Sequence, residues 1–472
     1  MSQNMQIGRK DVIWNFAATF MRVASGLIVL PLVLRLLPSP DVGLWNIFLS
    51  IGSIAALLDF GFSNAFSRNI TYVFSGVKTL QSKGYSSVDK NDTTIDFGLL
   101  KSVISAMRRY YAILAIIFLA IFLAISHFYM SYILEKEHYT GDIKTVWISW
   151  FTYGGLVAYQ LYTYYYGSLL TGRGLVKRNL QIIIVSQGFR IISTIILLLL
   201  GFGLFSLVVG FFVSDFLNRT LCYYAFYDKK IKHDIKVSKP IPVNEVMKIM
   251  TPNAVKIGVT TLGGFLITRG ILLISPLYLS LPQIASYGTT KQMIDLIASI
   301  GGIWFSTYYP KVTLYRVNDQ MDGVKRLYIK GKLALIFVFI ICGLGIIFVG
   351  PPLLDLIHSK THLIPGAMIF VFLIVAFLES NQSISSGYLL TKNEVPFMKA
   401  SIFSGLAVLI LLFASFYFTD LGIWGMILAP GIAQISYQNW KWPLLVSREL
   451  KLTIADYKKT LKDTFKKENV LE

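Results

Sequence analysis

Five positive charges lie where the sequence predicts the interior of a lipid bilayer. Each falls within a long apolar stretch: Arg22, Arg190, Lys256, Arg269 and Lys291. An ionised side chain near the bilayer centre costs about 2.5–3.5 kcal/mol on insertion scales, so such residues usually face a protein interior or a watery cavity. There they can compensate an anionic group, which arginine does with two parallel hydrogen bonds to phosphate or carboxylate oxygens. The sequence therefore predicts an anionic ligand or ion pairs between helices.

Carboxylates in the same stretches offer partners for some of these cations. Lys291 and Asp295 are four residues apart on one predicted helix, and so are Asp215 and Arg219. This spacing brings the two side chains of each pair together on one helix face, where each pair can form its own ion pair.

Three cations have no partner on their own helix: Arg22, Arg190 and Arg269. The carboxylates left to face them are Asp59 and Glu379. Both acids can be salt-bridge partners, or they can titrate and couple transport to a proton or sodium gradient, as intramembrane carboxylates do in many transporters. Both interpretations stay open. The modest cationic excess favours an anionic ligand.

The first predicted span has a well-defined polar face. Asn15, Thr19, Arg22 and Gly26 recur at helical spacing and therefore share one side of the helix. Arg22 can contact an anionic head group or pair with Asp59 of the next helix, and both alternatives stay open. For Arg190, in its own predicted span, the same two alternatives hold.

Lys256 and Arg269 share the seventh predicted span but lie thirteen residues apart, on nearly opposite faces of a straight helix. Lys256 is close enough to the span end to reach water. Both side chains can face one cavity only if the helix bends, and Gly263 and Gly264 provide a place for a bend.

The composition of the chain indicates which kind of structure holds these charged residues. The chain of 472 residues is 54% hydrophobic and 15% charged, with a mean hydropathy of +0.60. Soluble domains carry about 25% charged residues, so the sequence predicts an all-α polytopic membrane protein. Apolar windows of about 20 residues predict twelve transmembrane helices. The predicted spans are 12–36, 42–66, 110–134, 145–168, 180–200, 204–226, 252–275, 284–308, 333–356, 364–387, 396–418 and 421–446.

The loops between these spans indicate the orientation. Most Lys and Arg fall in segments on one side, whereas the opposite side holds Lys136, Lys144 and Lys360. The positive-inside rule then places both termini in the cytoplasm. The net charge of +19 is explained by basic loops at an anionic leaflet, and no motif for nucleic acid is present.

The twelve spans divide into two halves of six. The predicted organisation is an N-terminal bundle at 1–227, a cytoplasmic linker at 228–248, a C-terminal bundle at 249–446 and a basic cytoplasmic tail at 447–472. The turn after the first span resembles the turn after the seventh: Pro40 matches Pro282, and Trp45 matches Tyr287. An even number of spans per half predicts a parallel repeat.

The segment Leu57-Leu58-Asp59-Phe60-Gly61-Phe62-Ser63-Asn64-Ala65, running into Arg68, resembles the second helix of bacterial polysaccharide flippases. The Pro-x-x-x-Gly-x-Trp pattern before it, the helix count and the cytoplasmic linker also fit. These O-antigen (Wzx-type) flippases belong to the multidrug/oligosaccharidyl-lipid/polysaccharide (MOP) exporter superfamily.

This resemblance implies two six-helix bundles that alternate between inward- and outward-facing states in the bacterial inner membrane. The implied substrate is an undecaprenyl-pyrophosphate-linked oligosaccharide repeat unit for O-antigen, capsule or exopolysaccharide assembly. Implied partners are inner-membrane lipids, a polysaccharide polymerase and a chain-length regulator. The resemblance also implies that the anionic head group is bound by Arg22, Arg190 and Arg269. Lys291 and Asn15 are further candidate cavity residues, and the candidate coupling or ion-pair carboxylates are Asp59, Glu379 and Asp295.

No cofactor, metal site or catalytic residue is predicted, and H⁺, Na⁺ or the membrane potential can supply the energy. Tyr162, Tyr164, Tyr165 and Tyr166 can form an interfacial belt or stack on sugars. The alternatives are a drug/cation antiporter of the MATE type, a lipid II-type flippase with fourteen spans, and a membrane glycosyltransferase or polymerase. The last of these would carry a large outer loop or a carboxylate-rich motif, and the sequence has neither.

Overall fold

The computed structural model describes residues 14, 17, 21 and 26 and the ranges 28–59, 62–80, 94–240, 242–317, 319–392 and 396–467. Within these residues the chain consists of helices and the turns that join them, without any strand. The prediction of an all-α protein is therefore confirmed.

The chain forms two compact units, residues 1–262 and 263–472. The described helices that lie within unit 1, after a helical segment at 28–36, are α1 (Ser39–Leu58), α2 (Phe62–Phe74), α3 (Phe97–Lys136), α4 (Ile143–Thr163), α5 (Tyr165–Gly172), α6 (Val176–Leu199), α7 (Leu204–Phe226) and α8 (Lys229–Val237). Helix α9 (Val243–Thr268) crosses from unit 1 into unit 2. The predicted domain boundaries around 228–248 stay a prediction.

Unit 2 continues with α10 (Gly270–Ile274), a 3-10 turn (Ser275–Leu277), α11 (Leu281–Val317), α12 (Met321–Phe348), α13 (Gly350–Leu356), α14 (Gly366–Leu390), α15 (Met398–Phe418), α16 (Ile423–Ile435), α17 (Gln438–Glu449) and α18 (Ile454–Lys467). Pro40 and Pro282 are each the second residue of their helix, α1 and α11. Proline suits this position because the first turn of a helix leaves its N–H groups without partners.

Six of the described helices are long and apolar enough to cross a membrane: α3, α6, α7, α12, α14 and α15. Helix α3 shows the expected surface. Ile116 and Phe128 are 67% and 75% exposed, whereas Phe118 and Phe122 on its other side are buried. An exposed apolar face of this extent suits lipid rather than water. The count of twelve spans and the cytoplasmic placement of both termini stay predictions.

Five predicted spans are interrupted helices in the part of the chain that the structure describes. Two of them are 333–356, which breaks at Val349, and 421–446, which breaks at Ser436 and Tyr437. Span 42–66 breaks at Asp59 between α1 and α2, span 145–168 at Tyr164 between α4 and α5, and span 252–275 at Arg269 between α9 and α10. Non-helical backbone at membrane depth is tolerated where it is buried in protein or lines a cavity, and interrupted helices often form transporter binding sites. Two of the five interruptions fall at predicted site residues, Asp59 and Arg269.

The bend expected at Gly263 and Gly264 is not marked by any break, because α9 continues through both residues and is interrupted only at Arg269. Gly263 instead lies where α9 crosses α15. A Cβ atom at this position would overlap the backbone carbonyl of Ser401 and lie 2.8 Å from the backbone nitrogen of Ile402. On the facing helix, a Cβ atom at Gly405 would lie 3.0 Å from the carbonyl oxygen of Gly263. Small residues allow two helices in a membrane to approach closely.

The predicted linker contains α8, which packs onto unit 1. Asp228 caps this helix: its carboxylate accepts a hydrogen bond from the backbone N–H of Ile231 at 2.8 Å and pairs with Arg173 at 2.7 Å. These hydrogen bonds hold the pKa of Asp228 below its ordinary value. Ile231 is buried in the apolar core of unit 1. The linker is therefore folded over this segment.

The basic tail is also helical near its start. Asp456 of α18 pairs with Lys325 of α12 at 2.7 Å, and Lys325 Nζ also donates to the carbonyl oxygen of Lys451 at 3.1 Å. The tail is thus held against α12 by charged contacts.

One carboxylate joins three helices at the predicted inner end of unit 2. Glu449, at the end of α17, accepts hydrogen bonds from Tyr388 of α14 at 2.9 Å and from Arg316 of α11 at 3.3 Å. Lys392, just after α14, donates to its other oxygen at 2.5 Å. The Arg316 guanidinium also lies 4.2 Å from the centre of the Tyr388 ring.

Candidate functional site

Unit 2 encloses a cavity of about 690 Å³ that brings four predicted site residues together. Arg269 comes from the interruption between α9 and α10, Lys291 and Asp295 come from α11, and Glu379 comes from α14. We call this space the charged cavity. The long apolar segments on either side of each residue fold as helices whose polar positions face one space.

Asp295 is the shared ion-pair acceptor of the charged cavity. Lys291 Nζ lies 2.8 Å from Asp295 Oδ1, as the four-residue spacing predicts. Arg269, which lacks a partner on its own helix, reaches across to Asp295 Oδ2 at 3.4 Å. Glu379 faces the same cavity and forms no ion pair with any of the described side chains. Two cations therefore meet two carboxylates, and the cavity has no formal charge excess.

Arg190 lies in unit 1 and is largely satisfied by neighbouring groups. Its guanidinium lies 3.5 Å from the centre of the Phe211 ring, a cation–π contact, and donates to the amide oxygen of Gln187 at 3.4 Å. Asp215 of α7 interacts with it electrostatically. The structure does not place Arg190 in the charged cavity.

The predicted ion pair between Asp215 and Arg219 is wrong, because no salt bridge joins these two described side chains. Arg219 turns toward tyrosines instead: its guanidinium lies 5.8 Å from the ring centre of Tyr159 and 5.7 Å from that of Tyr166. Side chains four residues apart on a helix can form an ion pair, but here the Arg219 guanidinium makes cation–π contacts with tyrosine rings instead.

Asp59 is buried at the junction of α1 and α2. Its carboxylate accepts hydrogen bonds from the backbone N–H and the hydroxyl of Ser63, at 3.1 and 2.8 Å, and from the hydroxyl of Tyr111. Asp59 thus caps α2, where an acidic side chain also interacts favourably with the helix dipole. The alternative partner Arg22 lies outside the described residues, and so does Asn15.

Replacing Asp59 with alanine is expected to lower the free energy of unfolding by about 2–4 kcal/mol, because α2 loses its cap and the Tyr111 hydroxyl is left buried without its acceptor. Thermal unfolding in detergent measures this loss. Asp59→Asn keeps an acceptor and should lose much less. Adding Tyr111→Phe to Asp59→Ala should recover part of the loss, and a fully additive double variant would contradict the contact.

A second cavity of about 630 Å³ lies within unit 1 and is lined mainly by hydroxyl and amide side chains. We call it the polar cavity. Its hydroxyl residues are Ser63, Ser67, Thr163, Tyr164, Ser168, Thr171 and Ser214. Its amide residues are Gln160, Asn179, Gln187 and Asn218. Sequence reasoning missed this set, because single Ser, Thr, Asn and Gln residues in apolar helices carry no distinctive spacing.

The polar cavity presents both hydrogen-bond acceptors and donors. Thr163 and Thr171 donate their hydroxyl protons to carbonyl oxygens of their own helices, at 2.9 Å each, and the Thr171 oxygen in turn accepts from the Asn179 amide at 3.5 Å. The amide side chains offer N–H donors. Tyr164, 39% exposed at the interruption between α4 and α5, adds an aromatic ring to the lining.

Solved structures of transporters have the same fold. An inward-facing multidrug resistance MATE family transporter of the MOP superfamily matches with a TM-score of 0.63 and 13% identity, over 95% of this chain and 99% of that one. A MOP superfamily transporter from Pyrococcus furiosus, described as having a binding pocket of reverse polarity, matches with a TM-score of 0.59 and 15% identity, over 94% and 97%. The lipid II flippase MurJ, in an inward closed conformation, matches with a TM-score of 0.59 and 15% identity, over 95% of this chain and 90% of that one.

No protein-family model matches the chain, and no curated protein matches it. At these identities the structural likeness establishes the fold. The chain is a polytopic membrane protein with the fold of MOP-superfamily transporters, and the charged cavity and the polar cavity are candidate places for a ligand.

Proposed function

We propose that this protein is a flippase that moves lipid-linked oligosaccharide repeat units across the bacterial inner membrane by alternating access, for assembly of a surface polysaccharide. The observation that supports this most strongly is the lining of the polar cavity. Eleven of its fifteen residues carry a hydroxyl or an amide group, which is the chemistry that hydrogen-bonds sugar hydroxyls.

The fold supports the same proposal, because one solved structure of this fold is a lipid II flippase. Undecaprenyl pyrophosphate remains the proposed carrier, and a polymerase and a chain-length regulator remain proposed partners. Arg22, Arg190 and Arg269 stay proposed contacts for the anionic head group. The ion pair with Asp295 holds Arg269 in place, so an anionic group would have to compete with a carboxylate for it.

The proposal is tested by flipping of a fluorescent lipid-linked oligosaccharide in proteoliposomes. Asn179→Leu removes an amide from the polar cavity and should lower the flipping rate about tenfold, the cost of one or two hydrogen bonds to a polar ligand. Gln181→Leu is the matched control, because Gln181 lies two residues away on α6 and does not line the cavity. Equal rates in the two variants, or no flipping by the unaltered protein, would overturn the proposal.

A drug/cation antiporter of the MATE type is the second candidate. The observation that favours it is Glu379, a carboxylate that faces the charged cavity and lacks an ion-pair partner among the described residues. Such a group can bind an organic cation or an exchanged proton. Proton-driven ethidium export that is lost in Glu379→Gln, in the absence of oligosaccharide flipping, would establish this function instead.

A further inference from the structure

A third cavity, of about 530 Å³, lies in unit 1 where the linker helix α8 meets α3, α5 and α7. We call it the basic pocket. Its charged lining residues are Lys101, Arg108, Arg219, Lys232 and Lys236. No Asp or Glu is among the described residues that line it. This imbalance of charge distinguishes it from the charged cavity, where two cations meet two carboxylates.

The remaining polar lining of the basic pocket is mainly aromatic. Its tyrosines are Tyr162, Tyr165, Tyr166, Tyr223 and Tyr227. Tyr165 and Tyr166 are buried and stack with their ring centres 4.5 Å apart, so they form a rigid base beneath the more exposed cations. The tyrosine hydroxyls are donors that an anion can use, and the Tyr166 ring centre lies 5.7 Å from the guanidinium of Arg219, a cation–π contact.

The one acidic residue within α8 is Asp234, which does not line the basic pocket, and the acidic residue just before the helix is engaged elsewhere. Asp228 pairs with Arg173 and caps α8. Lys101 donates to the carbonyl oxygen of Ser238 at 2.9 Å, which ties the end of α8 to α3 and fixes the side of the pocket. The pocket is therefore assembled by secondary structure and does not depend on flexible surface lysines alone.

Arg219 is a partly buried cation whose hydrogen-bonding capacity is only partly used, since Nη1 donates to the Tyr159 hydroxyl at 3.5 Å. Its Nε atom is buried and has no hydrogen-bond partner in the part of the chain that the structure describes. Buried charged donors normally have partners, because an unsatisfied one costs free energy. Arg219 also lines the polar cavity, so the basic pocket and the polar cavity meet at this one side chain.

We propose that the basic pocket binds a phosphate or diphosphate group, while the polar cavity next to it receives the sugar joined to that group. Five cationic side chains and several tyrosine hydroxyls match the charge and the acceptor oxygens of a diphosphate. The phosphate can belong to a lipid-linked sugar or to an anionic phospholipid head group. Only the first source rests on the proposed function.

The test uses the full chain in nanodiscs of zwitterionic lipid, with inorganic pyrophosphate as the probe and calorimetry as the measurement. Lys232→Ala with Lys236→Ala should weaken binding about tenfold, because two charged donors are lost. Lys229→Ala with Lys230→Ala is the matched control: the same helix loses the same charge at exposed positions outside the pocket. Equal affinities in the two variants, or no binding to the unaltered protein, would overturn the proposal.

Further arms separate the two sources and separate this proposal from the flippase. Nanodiscs that contain phosphatidylglycerol should compete with pyrophosphate if a phospholipid head group is the ligand, whereas competition by a lipid-linked sugar diphosphate alone indicates the other source. Pyrophosphate binding that depends on Lys232 and Lys236, without any oligosaccharide flipping, would uphold the pocket and refute the flippase. Flipping without that dependence would refute the pocket.

Discussion

Gly263→Ala is expected to lower the free energy of unfolding by about 1–3 kcal/mol, and larger side chains at this position should prevent folding of unit 2. The added Cβ would overlap the backbone carbonyl of Ser401, and backbone atoms cannot move aside as a side chain does. Helices α9 and α15 would have to separate and would lose their close packing, on which association of helices in a membrane depends. Thermal unfolding of the purified protein in detergent, followed by size-exclusion chromatography, measures the effect.

Gly264→Ala is the matched control. The next residue of the same helix has nothing within 4 Å of its added Cβ, so alanine there should be neutral or slightly stabilising. Equal melting temperatures for the two variants would show that α9 and α15 do not approach as closely as described. A larger loss in Gly264→Ala would contradict the assignment of the packed face.

Asp295→Asn is expected to lower transport at least about tenfold and stability by about 1 kcal/mol. Its carboxylate is the shared acceptor of Lys291 and Arg269, so one substitution breaks two ion pairs and leaves two cations facing each other. The expected loss of stability is small because Asp295 and Arg269 are 38% and 39% exposed, and water screens exposed charges. The expected fall in transport rate is large because Lys291 and Arg269 are no longer held in position by the Asp295 carboxylate. Proteoliposome flux and thermal unfolding measure the two effects.

Two variants separate position from charge. Glu379→Gln removes a carboxylate from the same cavity but breaks no ion pair among the described residues, so its stability should change less than that of Asp295→Asn. Lys291→Met combined with Asp295→Asn restores the charge balance and should recover part of the lost stability. A double variant no better than Asp295→Asn alone would show that charge balance is irrelevant to the cavity.

The sequence predicted the all-α fold and four of the residues that share the charged cavity, because charged residues in apolar segments are rare and conspicuous. The pair of Lys291 and Asp295 followed from helix spacing alone. The contact of Arg269 with Asp295 did not, because spacing along one helix says nothing about which helix lies opposite. The four-residue spacing also predicted an ion pair between Asp215 and Arg219. This prediction failed because Arg219 contacts the rings of Tyr159 and Tyr166 instead.

Helix interruptions were the other feature that spacing could not supply. Hydropathy windows predict 42–66 as one span, yet the helix is interrupted at Asp59, whose carboxylate caps the following helix. The polar cavity and the basic pocket were also missed. Their residues come from several helices and from the linker, and although the sequence singled out Arg219 and the tyrosines Tyr162, Tyr164, Tyr165 and Tyr166, nothing in it joined them to the other lining residues. Only the fold brings hydroxyl, amide and basic groups to one place.

The three hydrogen bonds to Glu449 limit how unit 2 can change shape. Helices α11 and α14 carry the charged cavity and also supply the donors Arg316 and Tyr388 at the predicted inner end. Neither helix can slide along the other by a turn without breaking a charge-assisted hydrogen bond to the end of α17. We therefore expect a ligand that displaces these helices in the cavity to move them together. Because α11 and α14 are both hydrogen-bonded to Glu449, a displacement in the cavity should tilt the two helices as one rigid body.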